Sequence, residues 1–381
     1  MSTVMISCGE ASGDLYAGAL ARELSARDPG VRLVGFGGAH LAAAGAQLAG
    51  DYHRFSVTGI TEAIRVLPRS YAMLRRLGSL AREERPDVFV AIDFPDFNFR
   101  LAAAVHAEGI PVVYYVSPQL WAWRSGRIRA MRRFVSRVLV IFPFEQEIYD
   151  RAGIPAEFVG HPLVDLLAPP TPREMFLASL GLAPGSPTIA LLPGSRRNEL
   201  VGTAAILADA AKLVAARVAD VQFVVARAPK LADELFAPLA GAGVRMAFVE
   251  GRTDDVLHAA DAVVTASGTA TVQTALHERP MVIVYRLSPL TYKLGRPFVR
   301  VDTFGMANLV AGRTIVPELI QDDFTPERVA HETLRYLLEP EYAAATRREL
   351  EAVRAKLGAP GASGRAADAV LRVARAGAAR S

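Results

Sequence analysis

Asp93-Phe94-Pro95-Asp96-Phe97-Asn98 follows the apolar run Val88 to Ile92 and gathers two carboxylates and an amide at one turn. A carboxylate beside apolar Ile92 and Phe94 is the kind of group whose pKa rises and which can take a proton from a sugar hydroxyl. Asp96 also fits the plainer role of capping a helix that begins near Phe97, which leaves Asp93 as the better base. The stretch Leu192-Pro193-Gly194-Ser195-Arg196-Arg197-Asn198-Glu199 suits anions instead. Gly194 and Ser195 can turn backbone N–H groups toward a diphosphate, and Arg196 adds a bidentate cation against charge growing on a leaving group. A second turn of this type, Thr265 to Thr271, offers Ser267, Gly268 and Thr269, and two anion cradles in one half suit a nucleoside diphosphate. Two capped helices would account for either turn alone but leave Arg196 an accident.

Three other stretches could meet a substrate. Gly9-Glu10-Ala11-Ser12-Gly13-Asp14 ends the first apolar run, with a helix pattern from Leu15, so its small residues allow close approach of an anion or sugar to a helix start. Its bland reading is a capped helix in which Ser12 or Asp14 satisfies the first turn. Ser117-Pro118-Gln119-Leu120-Trp121-Ala122-Trp123-Arg124 holds both tryptophans and runs into Arg127, Arg129, Arg132, Arg133 and Arg137. Aromatic rings and guanidinium groups together suit a phosphorylated amphiphile, although core packing beside a solvated helix face would give the same pattern. Glu62 to Arg82 interleaves Ile64, Val66, Leu67, Met73, Leu74 and Leu77 with Arg65, Arg69, Arg75, Arg76 and Arg82. It is a basic amphipathic segment that fits an anionic membrane surface or, with Pro68 inside it, an ordinary surface helix.

These turns need strands to hold them. Thr3 to Cys8, Val31 to Gly35, Val88 to Ile92, Val112 to Val116 and Val138 to Ile141 read as buried strands with helical stretches between them. The same alternation restarts at Thr188 to Leu192, Val221 to Ala226, Met246 to Glu250, Ala262 to Thr265 and Met281 to Val284. Between the two runs lie Pro155, Pro162, Pro169, Pro170, Pro172, Pro184 and Pro187, the mark of a boundary. The expected organisation is an α/β domain over 1–165, a Pro-rich link over 166–187, a second α/β domain over 188–357 and a tail over 358–381 with one weakly periodic helix. Two doubly wound domains facing an interdomain cleft would bind ligands beyond the carboxyl ends of their strands.

Composition narrows the chemistry. With 381 residues, 51% hydrophobic and 22% charged, the chain is globular and long enough for two cores. A lone Cys8 excludes an intrachain disulfide and a thiolate metal site, and the seven histidines show no ligand pair at helical spacing, so neither metal nor cofactor is expected. Of them His161 alone, beside the link, is placed to touch the cleft. No lysine-bearing phosphate loop and no three-glycine dinucleotide fingerprint occur, which disfavours an NTPase or an NAD enzyme. No apolar run approaches the roughly eighteen residues of a spanning helix, and no secretory leader precedes Gly9. A cytoplasmic protein without nucleic acid as partner is expected, since no nucleic-acid module is recognisable. The sequence admits a homo-oligomer.

Gly9 to Asp14, Ser117 to Arg124, Leu192 to Glu199, Ser267 to Thr271 and Met306 to Arg313, in this order along the chain, resemble the lipid-A-disaccharide synthase family of GT-B glycosyltransferases. The resemblance implies inverting transfer of 2,3-diacylglucosamine from its UDP donor to 2,3-diacylglucosamine 1-phosphate at an inner-leaflet membrane surface, giving a β-1,6 disaccharide. It places the important aspartate at Asp93, the motif arginine at Arg196, the nucleotide in the C-terminal domain and a substrate contact at Asn308. Gly9, Glu10, Ser12, Gly13, Gln119, Trp121, Trp123 and Arg124 are the expected acceptor and lipid contacts, with Asp14 a second base candidate. Where the family carries a ribose-holding glutamate, Gln273 stands here, so that contact would rest on an amide. The alternatives are another UDP-N-acetylglucosamine-dependent GT-B enzyme, either a transferase or a 2-epimerase, and a nucleotide-sugar-binding protein without activity.

Overall fold

The computed structural model describes residues 2–55, 60–118, 126–229, 231–286 and 303–378, with side chains described outside 54–66 and 378. The chain forms two compact units: residues 1–166 with 357–381, and residues 167–356. The segment over 358–381, read from the sequence as a tail with one helix, falls within the first unit.

Unit 1 is built on a parallel sheet in the order β3-β2-β1-β4-β5-β6-β7. Its strands are β1 (Thr3–Cys8), β2 (Arg32–Gly37), β3 (Gln47–Asp51), β4 (Val88–Ile92), β5 (Val112–Tyr115), β6 (Arg137–Val140) and β7 (Ala156–Phe158). The central strands are apolar on both faces because helices cover both sides; Met5, Phe89 and Val112 are fully buried among Phe36, Leu101 and Tyr114. Helices α1 (Ala11–Arg27), α2 (Ala39–Ala43), α3 (Ile60–Glu84), α4 (Pro95–Ala107), α5 (Gly126–Met131), α6 (Pro143–Arg151) and α7 (Leu163–Leu166) connect or flank the strands.

Unit 2 repeats the plan in the order β10-β9-β8-β11-β12-β13, again all parallel. Its strands are β8 (Thr188–Leu192), β9 (Gln222–Arg227), β10 (Met246–Glu250), β11 (Ala262–Ala266), β12 (Met281–Tyr285) and β13 (Glu318–Ile320). The helices are α8 (Arg173–Ser179), α9 (Arg197–Ala215), α10 (Ala237–Ala240), α11 (Thr253–Ala259), α12 (Thr269–Leu276), α13 (Met306–Ala311), α14 (Pro326–Leu338) and α15 (Pro340–Lys356). The link is no bare spacer. Arg173 of α8 grips both carboxylate oxygens of Asp261, at 3.2 and 3.0 Å, and the carbonyl of Ser186 at 3.0 Å, while Thr171 N–H donates to Asp255 at 2.6 Å.

The chain then returns to unit 1 as α16 (Ala362–Ala378), which packs on α1. Asp165 receives the N–H groups of Gly361 and Ser363 at 2.6 and 2.9 Å at the start of α16, and Arg365 donates to the carbonyl of Val159 at 2.9 Å. A carboxylate at a helix N-terminus is favoured by the unpaired amides and the dipole there.

Each sheet carries the doubly wound strand order, reversing direction of growth between β1 and β4 in unit 1 and between β8 and β11 in unit 2. Ligands of such sheets lie beyond the strand carboxyl ends at that reversal. The turns after β1, β4, β8 and β11 are the ones whose residues promised chemistry.

Candidate active site

In unit 1 the turn after β4 is strained and locked. Asp93 and Phe94 have φ of 45° and 49°, and Val116 at the end of neighbouring β5 has 57°. Such values are uncommon away from glycine, and a β-branched residue there is an outlier of the sort that gathers at functional sites. Asn98, wholly buried in the first turn of α4, holds the turn. Its Nδ2 lies 2.9 Å from the carbonyl of Asp93, 3.2 Å from that of Ile92 and 3.2 Å from that of Ser7, and its Oδ1 accepts from the Ser7 hydroxyl at 2.7 Å. Tyr114 of β5 also donates to the Asp93 carbonyl, at 2.8 Å. Burial first and the nearby Asp93 charge second push the Tyr114 hydroxyl well above its ordinary pKa, so it stays a donor. Asp93 itself is half-buried.

Two expectations change at this turn. Asp96 is no cap: α4 begins at Pro95, its cap position is Phe94, and Asp96 is exposed and ion-paired with Arg127 at 2.6 Å. Proline at the first helical position supplies the start instead. Gly9 has a steric role, since a Cβ there would come within 2.2 Å of the Phe94 ring. Glycine lets that ring lie across the end of β1.

The turn after β1 is tighter than the sequence suggests. Helix α1 starts at Ala11, with Glu10 in the cap position, so Ser12, Gly13 and Asp14 belong to its first turn. Asp14, the second base candidate, anchors the neighbouring loop. Its buried carboxylate accepts the N–H groups of Gly38 at 2.7 Å, His40 at 2.9 Å and Leu41 at 3.2 Å, holding the start of α2. His161 is likewise structural: it is 2% exposed and packed against Tyr16 and Phe142, and its Nδ1 accepts the Leu163 N–H at 3.2 Å. Burial lowers its pKa to about 3. Gln119, Trp121, Trp123 and Arg124 lie outside the described residues; of their motif Ser117 is buried, its hydroxyl bonded to the Tyr149 hydroxyl.

In unit 2 the turn after β8 presents backbone. Gly194 adopts φ 127°, Ser195 and Arg196 are exposed, and Arg196 is the cap residue of α9. The sequence reading missed Glu199. Its Oε2 accepts the Ser195 N–H at 2.8 Å and the Arg196 N–H at 3.3 Å, and its Oε1 lies 3.4 Å from the Arg196 guanidinium. A Cβ on Gly194 would meet this carboxylate at 2.6 Å, so glycine there lets the Glu199 side chain lie against the turn. The signal was present as a glutamate three residues beyond a helix cap, the capping-box spacing.

The turn after β11 supplies an exposed Gly268 and Thr269 at the start of α12. Ser267 uses its N–H toward Val284 at 3.0 Å and its hydroxyl toward the Phe304 carbonyl at 3.5 Å, which draws the segment before α13 to the same sheet edge. The side-chain amide of Asn308 is engaged within unit 2. Its Nδ2 serves the Val316 carbonyl and Glu318 at 2.9 and 2.6 Å, and its Oδ1 serves Ile315 and Val316 N–H at 2.8 and 3.0 Å, which exhausts a side-chain amide. Glu318 in turn accepts the N–H groups of Phe304 and Gly305 at 2.7 and 3.0 Å. Gln273 points its amide at Asp254, 2.8 Å away, and Asp254 also meets His277 at 2.8 Å. Although burial works to raise it, these hydrogen bonds and that from the Ala168 N–H hold the Asp254 carboxyl below the usual range.

Two Rossmann-like units, each on a doubly wound parallel sheet, are the architecture of the GT-B class of glycosyltransferases and sugar-nucleotide epimerases. Among solved structures the chain resembles a UDP-GlcNAc 2-epimerase from Neisseria meningitidis bound to UDP-GlcNAc (TM-score 0.69, 11% identity, 98% of this chain and 100% of that one). It also resembles the calicheamicin glycosyltransferase CalG4 (TM-score 0.60, 16% identity, 98% of each). The family model described as lipid-A-disaccharide synthetase matches residues 4–373. A lipid-A-disaccharide synthase of Geobacter sulfurreducens is 44% identical over 372 residues, 97% of this chain and 96% of the relative. The chain belongs to the lipid-A-disaccharide synthetase family and is a glycosyltransferase of lipid A biosynthesis.

Among the described residues no helix is long and apolar enough to cross a membrane, and no group of three or more His, Cys, Asp or Glu could hold a metal ion.

Proposed function

We propose that this enzyme moves 2,3-diacylglucosamine from its UDP donor to the 6-hydroxyl of 2,3-diacylglucosamine 1-phosphate, inverting the anomeric centre. The acceptor oxygen bonds to the anomeric carbon as the bond from that carbon to the β-phosphate oxygen breaks. The hydroxyl proton passes to Asp93, and UDP leaves carrying the electron pair. Charge growing on the diphosphate is met by Arg196, the Ser195 turn and the start of α12 at Gly268 and Thr269, with Ser267 holding that edge together. Gln273 and Asn308 support the nucleotide side at one remove, through Asp254 and Glu318.

The observation that supports this reading best is placement: a half-buried acid on a locked turn at one sheet reversal, and an exposed glycine-arginine turn at the other, in a chain matched by the family almost end to end. The lipid side of the reading rests on unit 1. Its helix α3 buries Leu77 and Ala81 while Leu67 and Tyr71 stand 58% exposed, with Arg75 stacked 5.3 Å over the Tyr71 ring. Beside it a groove of about 840 Å³ is lined by Leu48, Ala49, Met73, Arg69 and Arg76. Apolar side chains with an arginine fringe suit peripheral contact with an anionic inner leaflet and its acylated sugars.

The decisive experiment mixes purified protein with both diacylated substrates and follows UDP. Release that requires both lipids is the expected result. UDP release, or epimerisation of the donor sugar, in the absence of lipid acceptor would replace this reading with that of another sugar-nucleotide enzyme of the same fold.

A further inference from the structure

The strained turn after β4 is held by side chains that touch no substrate in the reading above. Asp93 and Phe94 take consecutive left-handed backbone conformations at φ 45° and 49°, which aspartate adopts only occasionally and phenylalanine disfavours. Something must hold them there, and the hydrogen bonds show what does. The Asp93 carbonyl takes two donors, Asn98 Nδ2 at 2.9 Å and the Tyr114 hydroxyl at 2.8 Å. Asn98 also reaches the carbonyls of Ile92 and Ser7, so one amide ties the ends of β1 and β4 to the first turn of α4. The Ser7 hydroxyl, donating to Asn98 Oδ1 at 2.7 Å, fixes which way the amide faces.

We propose that Asn98, oriented by Ser7 and seconded by Tyr114, is the positioning residue that fixes the Asp93 carboxylate for proton transfer. The inference rests on the reading of Asp93 as the base. Remove the Asn98 amide and the turn can relax toward ordinary φ values, carrying the carboxylate away from the acceptor hydroxyl while leaving the anion-binding turns of unit 2 as they are. A misplacement near 1 Å can cost roughly 100-fold in rate. The titratable and charged groups around the turn are Tyr16 of α1, whose pKa is raised first by burial, then by Tyr115 and by Asp93, together with Tyr114 of β5, Asp96 of α4 and Arg127 of α5. Asp96 and Arg127 pair with each other, so the turn keeps its charged surroundings when Asn98 changes.

The test compares kcat against pH, KM for both lipids and UDP affinity by calorimetry in the wild type, Asn98→Ala, Tyr114→Phe and Asp93→Asn. Asn98→Ala is expected to lose roughly 10- to 100-fold in kcat and Tyr114→Phe less, because Asn98 still holds the carbonyl. Both should move the acid limb of the kcat profile while UDP affinity stays within about twofold of wild type, well under the tenfold that 1.4 kcal/mol represents. A lower kcat with an unmoved acid limb, or a loss shared equally by UDP affinity, would overturn the proposal and leave Asn98 a plain core residue. Should Asn98→Ala fail to fold, Tyr114→Phe decides by the same criteria. Asp93→Asn separates the two levels: if it retains rate and acid limb, the base assignment fails, whereas a loss of rate in Asp93→Asn beside unshifted Asn98 and Tyr114 variants fails the positioning role alone.

Discussion

At the reversal point of unit 1 a buried side-chain amide grips backbone carbonyls, and the product is an acid on a fixed turn. At the reversal point of unit 2 the relation runs the other way: backbone N–H groups grip a side-chain acid, Glu199, on a turn whose neighbours Ser195 and Arg196 are exposed. The first arrangement is expensive to disturb because the amide is sealed from water, where an unmade hydrogen bond costs about 1–3 kcal/mol. The second is open to exchange on the proposed reading, in which the donor's diphosphate takes the place of the carboxylate. On the proposed reading, one sheet plan serves a rigid proton acceptor in one unit and an adaptable anion cradle in the other, the division of labour that sugar transfer to a hydroxyl requires.

The largest expected effect tests the rigid edge. Asp93→Asn should lower turnover by about 10² to 10⁴ while UDP still binds, measured by UDP release and calorimetry; an active variant would remove the acid from the comparison. At the other edge Arg196→Ala should lower kcat by about 10² to 10³, and an unchanged rate would mean that the arginine is peripheral to the reaction. A smaller effect probes exchange itself. Glu199→Gln keeps the shape of the side chain but removes its charge, worth about 1 kcal/mol at 4 Å in water, so UDP should bind about fivefold tighter. Weaker binding in a calorimetric titration would show that the charged carboxylate shapes the cradle instead of occupying it.

The smallest effect falls on stability and none on rate at neutral pH. Unfolded histidine takes up a proton near pH 6.5, whereas burial lowers His161 in folded unit 1 to about 3. Its contribution is therefore complete above about pH 6.5 and drains at about 1.4 kcal/mol per pH unit as pH falls toward the folded value. His161→Asn, which keeps an acceptor in the Nδ1 place, should flatten the slope of unfolding free energy in urea melts between about pH 6.5 and 4.5. An identical slope would move the acid sensitivity of unit 1 elsewhere.

Much of this frame was legible in the sequence because buried parallel strands leave long apolar runs. Thr3–Cys8, Val88–Ile92 and Thr188–Leu192 form where those runs predict. The edge strands Gln47–Asp51, Ala156–Phe158 and Glu318–Ile320 were not, since short strands at a sheet margin need no apolar run and carry charge or polarity. The reactive turns could be located from their glycines and charges, but not the partners of their side chains. Asp14, Asn308 and Asn98 look alike as polar residues beside apolar ones. Each is satisfied by groups near and far in the chain: Asp14 by Gly38, His40 and Leu41, Asn98 by Ser7, and Asn308 by the Glu318 turn. No local pattern distinguishes an acid that meets substrate from one that ties two loops together. Asp96 was misread for the opposite reason: a local rule predicted a cap, and Pro95 together with Arg127 decided otherwise.

Helix α16 gives the polypeptide an unusual itinerary, with residues 167–356 standing as one long insertion inside unit 1. A nascent chain on the ribosome can finish unit 2 before it has synthesised the last piece of unit 1, because the surface of α1 waits for residues some 340 positions downstream, such as Asp368, which pairs with Arg27. Until α16 is made, the half that carries Asp93 has an uncovered flank, so premature termination after unit 2 would harm unit 1 more than the unit just completed.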